Sequence, residues 1–149
     1  MKRILLLLLL TASCSLAEAQ NALFKRYADT QGVSTVYISK TMFRLFGGMD
    51  VDNLDIKKIA NRLEHVQILS CERPSLIPTI RNEALQELKK ERFELAMQMK
   101  EDGETTVIYC KQHKKNLNEF VLLNVEKDEV SVINLLGNIT LKDIKQITD

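Results

Sequence analysis

The chain has no tryptophan, two prolines, five glycines and three cysteines in 149 residues. Each shortage excludes something. So few Gly and Pro leave no room for a flexible linker, and a single core is expected to serve the whole chain. Three cysteines are too few for a disulfide scaffold. An excess of one charge is missing as well, since 21 Lys and Arg stand against 20 Asp and Glu. That balance removes the basic field expected of a duplex-DNA binder, so no nucleic-acid partner is expected. At 45% apolar and 28% charged, the composition is that of an ordinary globular domain.

Long hydrophobic runs are confined to the amino terminus. Met1-Lys2-Arg3 supplies a positive start, and Ile4 to Leu10 is an unbroken aliphatic run that small and apolar residues extend to Leu16. A membrane-spanning helix needs about 20 apolar residues, and this stretch is shorter and meets Glu18. It reads as a secretory signal peptide over residues 1–19, cleaved after Ala17-Glu18-Ala19, which leaves residues 20–149 as a single exported domain. The competing reading is a lipoprotein anchored through Cys14, with Thr11-Ala12-Ser13-Cys14 as a lipobox that lacks the usual leucine. Either way, Cys71 and Cys110 are the remaining thiols in an oxidising compartment, and both are expected to be reduced or slow to react.

Periodicity organises the rest. Asn21 to Ala28 reads as a short helix, Val33 to Ser39 as a β-branched strand, and Met42, Phe43, Leu45 and Phe46 as the apolar side of a second helix broken by Gly47-Gly48. Asp55 is a good N-cap for a helix in which Ile56, Ile59, Ala60 and Leu63 recur, followed by a strand from Val66 to Cys71. Pro74 and Pro78 open a helix with a stripe of Ile80, Ala84, Leu85 and Leu88 that runs to about Glu91.

The period then becomes two. Four strands are expected: Phe93 to Lys100, Glu104 to Gln112, Leu117 to Val125 and Val130 to Leu136. Asp102-Gly103, the polar turn His113 to Asn116 and the charged turn Glu126 to Glu129 connect them. Thr140 and Asp143 resemble a capping box for a terminal helix. The pattern predicts an α+β fold with a single mixed sheet of about six strands and a C-terminal antiparallel meander. Helices are expected mainly on one face, because the polar alternate residues of Phe93 to Lys100 imply that the other face is wet.

At this point the chain resembles a known family through Leu23-Phe24-x-x-Tyr27-Ala28, Val36-Tyr37-Ile38-Ser39-Lys40-Thr41-Met42, Ile68-Leu69-x-x-Glu72-Arg73-Pro74 and Gly137-Asn138-Ile139-Thr140-Leu141-x-Asp143-Ile144. It is similar to the small exported proteins of Gram-negative bacteria grouped as domain of unknown function 4252. The resemblance implies a single-domain envelope protein of unassigned activity, and it brings no catalytic residues with it.

Candidate chemistry is sparse. His65, Cys71, Cys110 and His113 are the available soft ligands, but an extended segment separates His65 from Cys71 by roughly 20 Å, and Cys110 and His113 fall on opposite faces of a strand. No metal site is expected. Neither histidine lies in a nucleophile motif, and there is no Gly-x-Ser-x-Gly elbow, phosphate loop or dinucleotide fingerprint, so no cofactor is expected. Asp50, Asp52, Asn53 and Asp55 crowd one loop, where Leu54 and Asp55 stand in the places an EF-hand reserves for a third oxygen ligand and a glycine.

Two binding candidates stand beside bland alternatives. Met42, Phe43 and Phe46 form either a binding lip or core. Lys111, His113, Lys114 and Lys115 form either a basic tip for an anionic surface or a solvated hairpin end. The sequence therefore points to an exported, non-enzymatic envelope protein that binds another envelope protein or an anionic cell-surface component. The alternative is a hydrolase or thiol-redox enzyme whose site, with Cys71 or Cys110 as the reactive group, forms only in the fold.

Overall fold

The computed structural model describes residues 21–46, 50–51 and 54–148, so the expected signal segment with Cys14, and Gly47-Gly48, Met49, Asp52 and Asn53, lie outside the described residues. In chain order the elements are α1 (Asn21–Tyr27), β1 (Val33–Ser39), α2 (Lys40–Phe46), β2 (Asp50–Val51), β3 (Leu54–Asp55), two 3-10 turns (Ile56–Lys58 and Ala60–Arg62) and β4 (Leu63–Cys71). There follow α3 (Ile77–Lys90), β5 (Glu94–Glu101), β6 (Glu104–Gln112), β7 (Asn118–Val125), β8 (Val130–Gly137) and α4 (Leu141–Thr148). The fold is α+β, built on one six-stranded sheet of order β1-β4-β8-β7-β6-β5, with β2 and β3 forming a small separate hairpin.

The expected mixed sheet is antiparallel throughout. Strand-helix-strand units lie behind the mixed expectation, and one of them does form a crossover. β4, α3 and β5 leave β4 and β5 running in the same direction, but β8, β7 and β6 stand between them. No parallel pair arises because the meander fills the space that the crossover spans.

Helices cover both faces, which corrects the one-sided expectation. Val66, Ile68, Phe120, Leu122, Ile133 and Leu135 point to one face, under α2, the 3-10 turns and α4. Leu69, Cys71, Val121, Leu123, Val130 and Val132 point to the other, under α1 and α3. A strand buried on both sides reads as a continuous apolar run, as Phe120 to Leu123 does. The polar alternation of β5 belongs to an edge strand exposed along most of its length, and so reports on the edge alone. A register shift between Leu95 and Met97 further breaks its alternation.

Between Ile56 and Arg62 the backbone forms two short 3-10 turns instead of the expected α-helix, and β4 begins at Leu63 instead of Val66. The apolar residues are buried as their spacing predicts, and Asp55 accepts from the Lys57 amide as a cap. What shortens the helix is the sheet, because Leu63 pairs with Gly137 and the Arg62 carbonyl accepts from the Asn138 amide. A Cβ on Gly137 would lie 2.3 Å from that carbonyl, so only glycine permits this approach.

Turn chemistry agrees with the sequence elsewhere. Asp102 and Gly103 both take positive φ in the β5–β6 hairpin. Thr140 and Asp143 cap α4 reciprocally, each side-chain oxygen accepting from the other residue's amide.

Candidate functional site

Strand register brings together residues that are far apart in the chain. Glu119 on β7 lies opposite Leu136 on β8 and Lys111 on β6, and Leu136 lies opposite His65 on β4. In the adjoining row, Asn134 lies opposite Val121 and Gln67, and Gln67 opposite Tyr37. Residues directly opposite share a face, so all of these side chains point to the face that α1 and α3 cover. The meander and the β1–β4 pair thus place one polar row at the end of an otherwise apolar surface.

Four of its side chains, His65, Asn134, Glu119 and the neighbouring His113, form one hydrogen-bonded chain. His65 Nε2 lies 3.0 Å from Asn134 Oδ1, the Asn134 side-chain amide donates to Glu119 Oε1 at 2.5 Å, and His113 Nε2 lies 2.6 Å from Glu119 Oε2. Glu119 is 0% exposed. An ionised carboxylate only accepts, so His113 donates through Nε2 and Asn134 through its nitrogen; Asn134 Oδ1 is then the acceptor for His65 Nε2–H. With both rings neutral, this one buried carboxylate sets the tautomer of both histidines. The Tyr37 ring lies against His65, with centroids 5.8 Å apart.

Beside the row, a small apolar pocket of about 40 Å³, partly open to solvent, lies between α1, α3 and the sheet. Leu23, Phe24, Leu88, Phe93 and Val132 line it, and Asn134 links it to the polar row. The two covering helices are tied together by Glu83, which accepts from the Tyr27 hydroxyl at 2.6 Å and pairs with Arg26 at 2.9 Å. Burial, reinforced by this bond, pushes the Tyr27 hydroxyl up to about 12. The Tyr27 hydrogen bond in turn holds the Glu83 carboxyl below its ordinary range.

The expected binding residues are divided by the fold. Lys111 is half-buried, 3.7 Å from Glu91 and over the Phe93 ring at the pocket's rim. His113 belongs to the polar row, while Lys114 and Lys115 are exposed on the β6–β7 turn. Lys115 and Asn116 both take positive φ there, which turns the tip sharply. Phe43 is core at 4% exposure, so it is no part of an open lip; Met42 is 39% exposed. The Phe46 side chain lies outside the described residues.

Cys71 and Cys110 are both free, on opposite faces of the sheet with β8 and β7 between their strands. Burial, with Glu94 nearby, pushes the Cys110 thiol up, away from the reactive thiolate. Among the described residues no three His, Cys, Asp or Glu side chains gather as a metal site would require.

Sequence reasoning missed Glu119 and Asn134. Their signal was parity, since Glu119 alternates in phase with Val121 and Leu123, and Asn134 with Val130 and Val132. A polar residue on an inward phase demands a partner, and only the register shows which.

Comparison with known proteins gives a family and no activity. No curated protein matches. A crystal structure of a Pseudomonas aeruginosa protein of unknown function is similar at 13% identity, covering 80% of this chain and 77% of that one with a TM-score of 0.36. The model of the family described as Domain of unknown function (DUF4252) matches residues 27–147, from the end of α1 into α4. The chain belongs to that family.

Proposed function

We propose that this protein is an exported, non-catalytic binding module of the cell envelope, and that it binds an anionic envelope component at the β6–β7 tip. The observation that carries the reading is the fate of His113: its Nε2 is held by the buried Glu119, which fixes the ring beside the exposed Lys114 and Lys115. Two cations, Lys114 and Lys115, are then exposed on one anchored turn.

Vesicles test this directly. Binding to vesicles containing an anionic lipid is expected to exceed binding to zwitterionic ones, and to fall as the Debye length shrinks from about 10 Å at 0.1 M salt to about 3 Å at 1 M. Lys114→Glu with Lys115→Glu is expected to weaken it about tenfold or more while leaving the fold intact. Equal binding to both vesicle types, or no change in the double variant, overturns the reading. Export is tested separately by intact mass: a chain beginning at Gln20 supports signal cleavage, and one beginning at lipid-modified Cys14 supports the anchored form.

The enzymatic alternative has one observation in its favour, the His113–Glu119 contact, because a carboxylate orients a catalytic base in this way. Replacing both Cys71 and Cys110 by serine distinguishes the thiol version. A binding module keeps its function, whereas a thiol enzyme loses it without losing its fold.

A further inference from the structure

The two edges of the sheet differ in kind. β5 carries Glu94, Lys100 and Glu101 together with a register shift, all of which discourage pairing with another strand. β1 has none of these protections. Its seven residues, Val-Ser-Thr-Val-Tyr-Ile-Ser, include no charge and no proline, and they pair with β4 without a shift. Lys40, which follows β1 in the chain, is paired with Glu64 at 2.6 Å. On this edge Val36 is 46% and Tyr37 61% exposed.

We infer that β1 joins two copies of this chain, strand against strand about a two-fold axis through Val36, forming one continuous antiparallel sheet. The sequence of β1 selects this partner. Antiparallel self-pairing about Val36 engages all seven residues at once, with Val36 facing its own copy, Thr35 facing Tyr37, Ser34 facing Ile38 and Val33 facing Ser39. No pair opposes like charges, and Thr35–Tyr37 joins a β-branched residue to an aromatic one, a favourable cross-strand combination. Residues of equal parity meet, so each face of one copy continues into the same face of the other. A two-fold contact of this kind is closed, and it leaves β5 at both outer ends, where charge ends the sheet. This contact involves β1 alone and does not depend on the anionic-surface reading.

Sedimentation velocity of the purified protein from about 1 to about 200 µM is the test, a range that brackets a micromolar dimer. Dimer is expected to grow with concentration in the wild type. Val36→Lys places two like charges opposite each other at the axis and is expected to weaken association at least about tenfold, while Val36→Thr retains it. Because Val36 is half exposed, the melting curve of Val36→Lys should match the wild type once both are diluted to monomer. A second measurement does not depend on that variant: Val36→Cys should form a covalent dimer under mild oxidation, since directly opposed residues have Cα atoms about 4.5–5.5 Å apart. A wild type that stays monomeric across the range, a Val36→Lys variant that associates normally, or a Val36→Cys variant that cross-links no more than wild type overturns the proposal. So does capture of a foreign strand at β1 without self-association.

Discussion

His65 and His113 stand 48 positions apart in the chain and are joined across three strands by Asn134 and Glu119. Both rings donate through Nε2 to this pair, so both neutral rings are expected in the Nε2–H tautomer, which nitrogen-15 spectra of the imidazoles report directly. Glu119→Ala leaves the Asn134 amide and the His113 ring without their acceptor in a buried place. A loss of about 2–4 kcal/mol in urea unfolding is expected, together with mixed tautomers at both histidines. A loss under about 0.5 kcal/mol, or unchanged tautomers, would show that the carboxylate does not organise the row.

Arg62 and Asp143 tie the turn before β4 to α4 through two parallel bonds of 2.8 and 3.0 Å. The Arg62 guanidinium holds the Asp143 carboxyl at about 2, well below its ordinary 3.8. Since this folded value is depressed, the stabilisation is fully present above about pH 3.8 and disappears as pH falls through about 2. Arg62 is itself more than a third exposed, so solvent screening limits the contribution to about 1 kcal/mol. Arg62→Ala is therefore expected to lower stability by about that amount near neutrality and to move the acid unfolding midpoint upward. Equal stability differences at pH 6 and at about pH 2 would contradict this origin.

Tyr27 is the buried end of the link between α1 and α3. Its hydroxyl value is raised to about 12, so the stabilisation is present below about pH 10 and is lost as pH rises through about 12. Ultraviolet titration should show one tyrosine ionising at that high pH, and Tyr27→Phe should abolish this step at a cost of about 1 kcal/mol. If the step persists in Tyr27→Phe, another tyrosine is responsible.

Cys71 and Cys110 lie on opposite sheet faces and so are expected to count as two free thiols in the denatured, unreduced monomer. Because burial raises the Cys110 thiol, its alkylation in the folded state should be slow at neutral pH and accelerate at higher pH than in a free cysteine. A thiol count of zero contradicts the separation of the two strands.

Local chemistry made most of the elements legible in the sequence. Val33–Ser39 and Glu104–Gln112 form strands with the expected bounds, since β-branched runs and turn residues such as Asp102-Gly103 act over a few positions. Thr140 and Asp143 likewise announce the start of α4, because a capping box is completed within four residues. The face to which a helix docks is different in kind. It depends on which strand neighbours which, and β5 alone could not reveal that β8 is buried on both sides.

The site shows the same division. Inward phase marks Glu119 and Asn134 as residues in need of partners, and the sequence by itself determines that much, because alternation along a strand is a local property. The partners themselves are decided by the tertiary structure. His65, Asn134 and Glu119 meet only when β4, β8 and β7 pair in one register, and a slip of one residue would turn the whole row toward the opposite face. Register is held by contacts between distant segments, such as Gly137 against Arg62, whose energy is not contained in any short stretch of the chain.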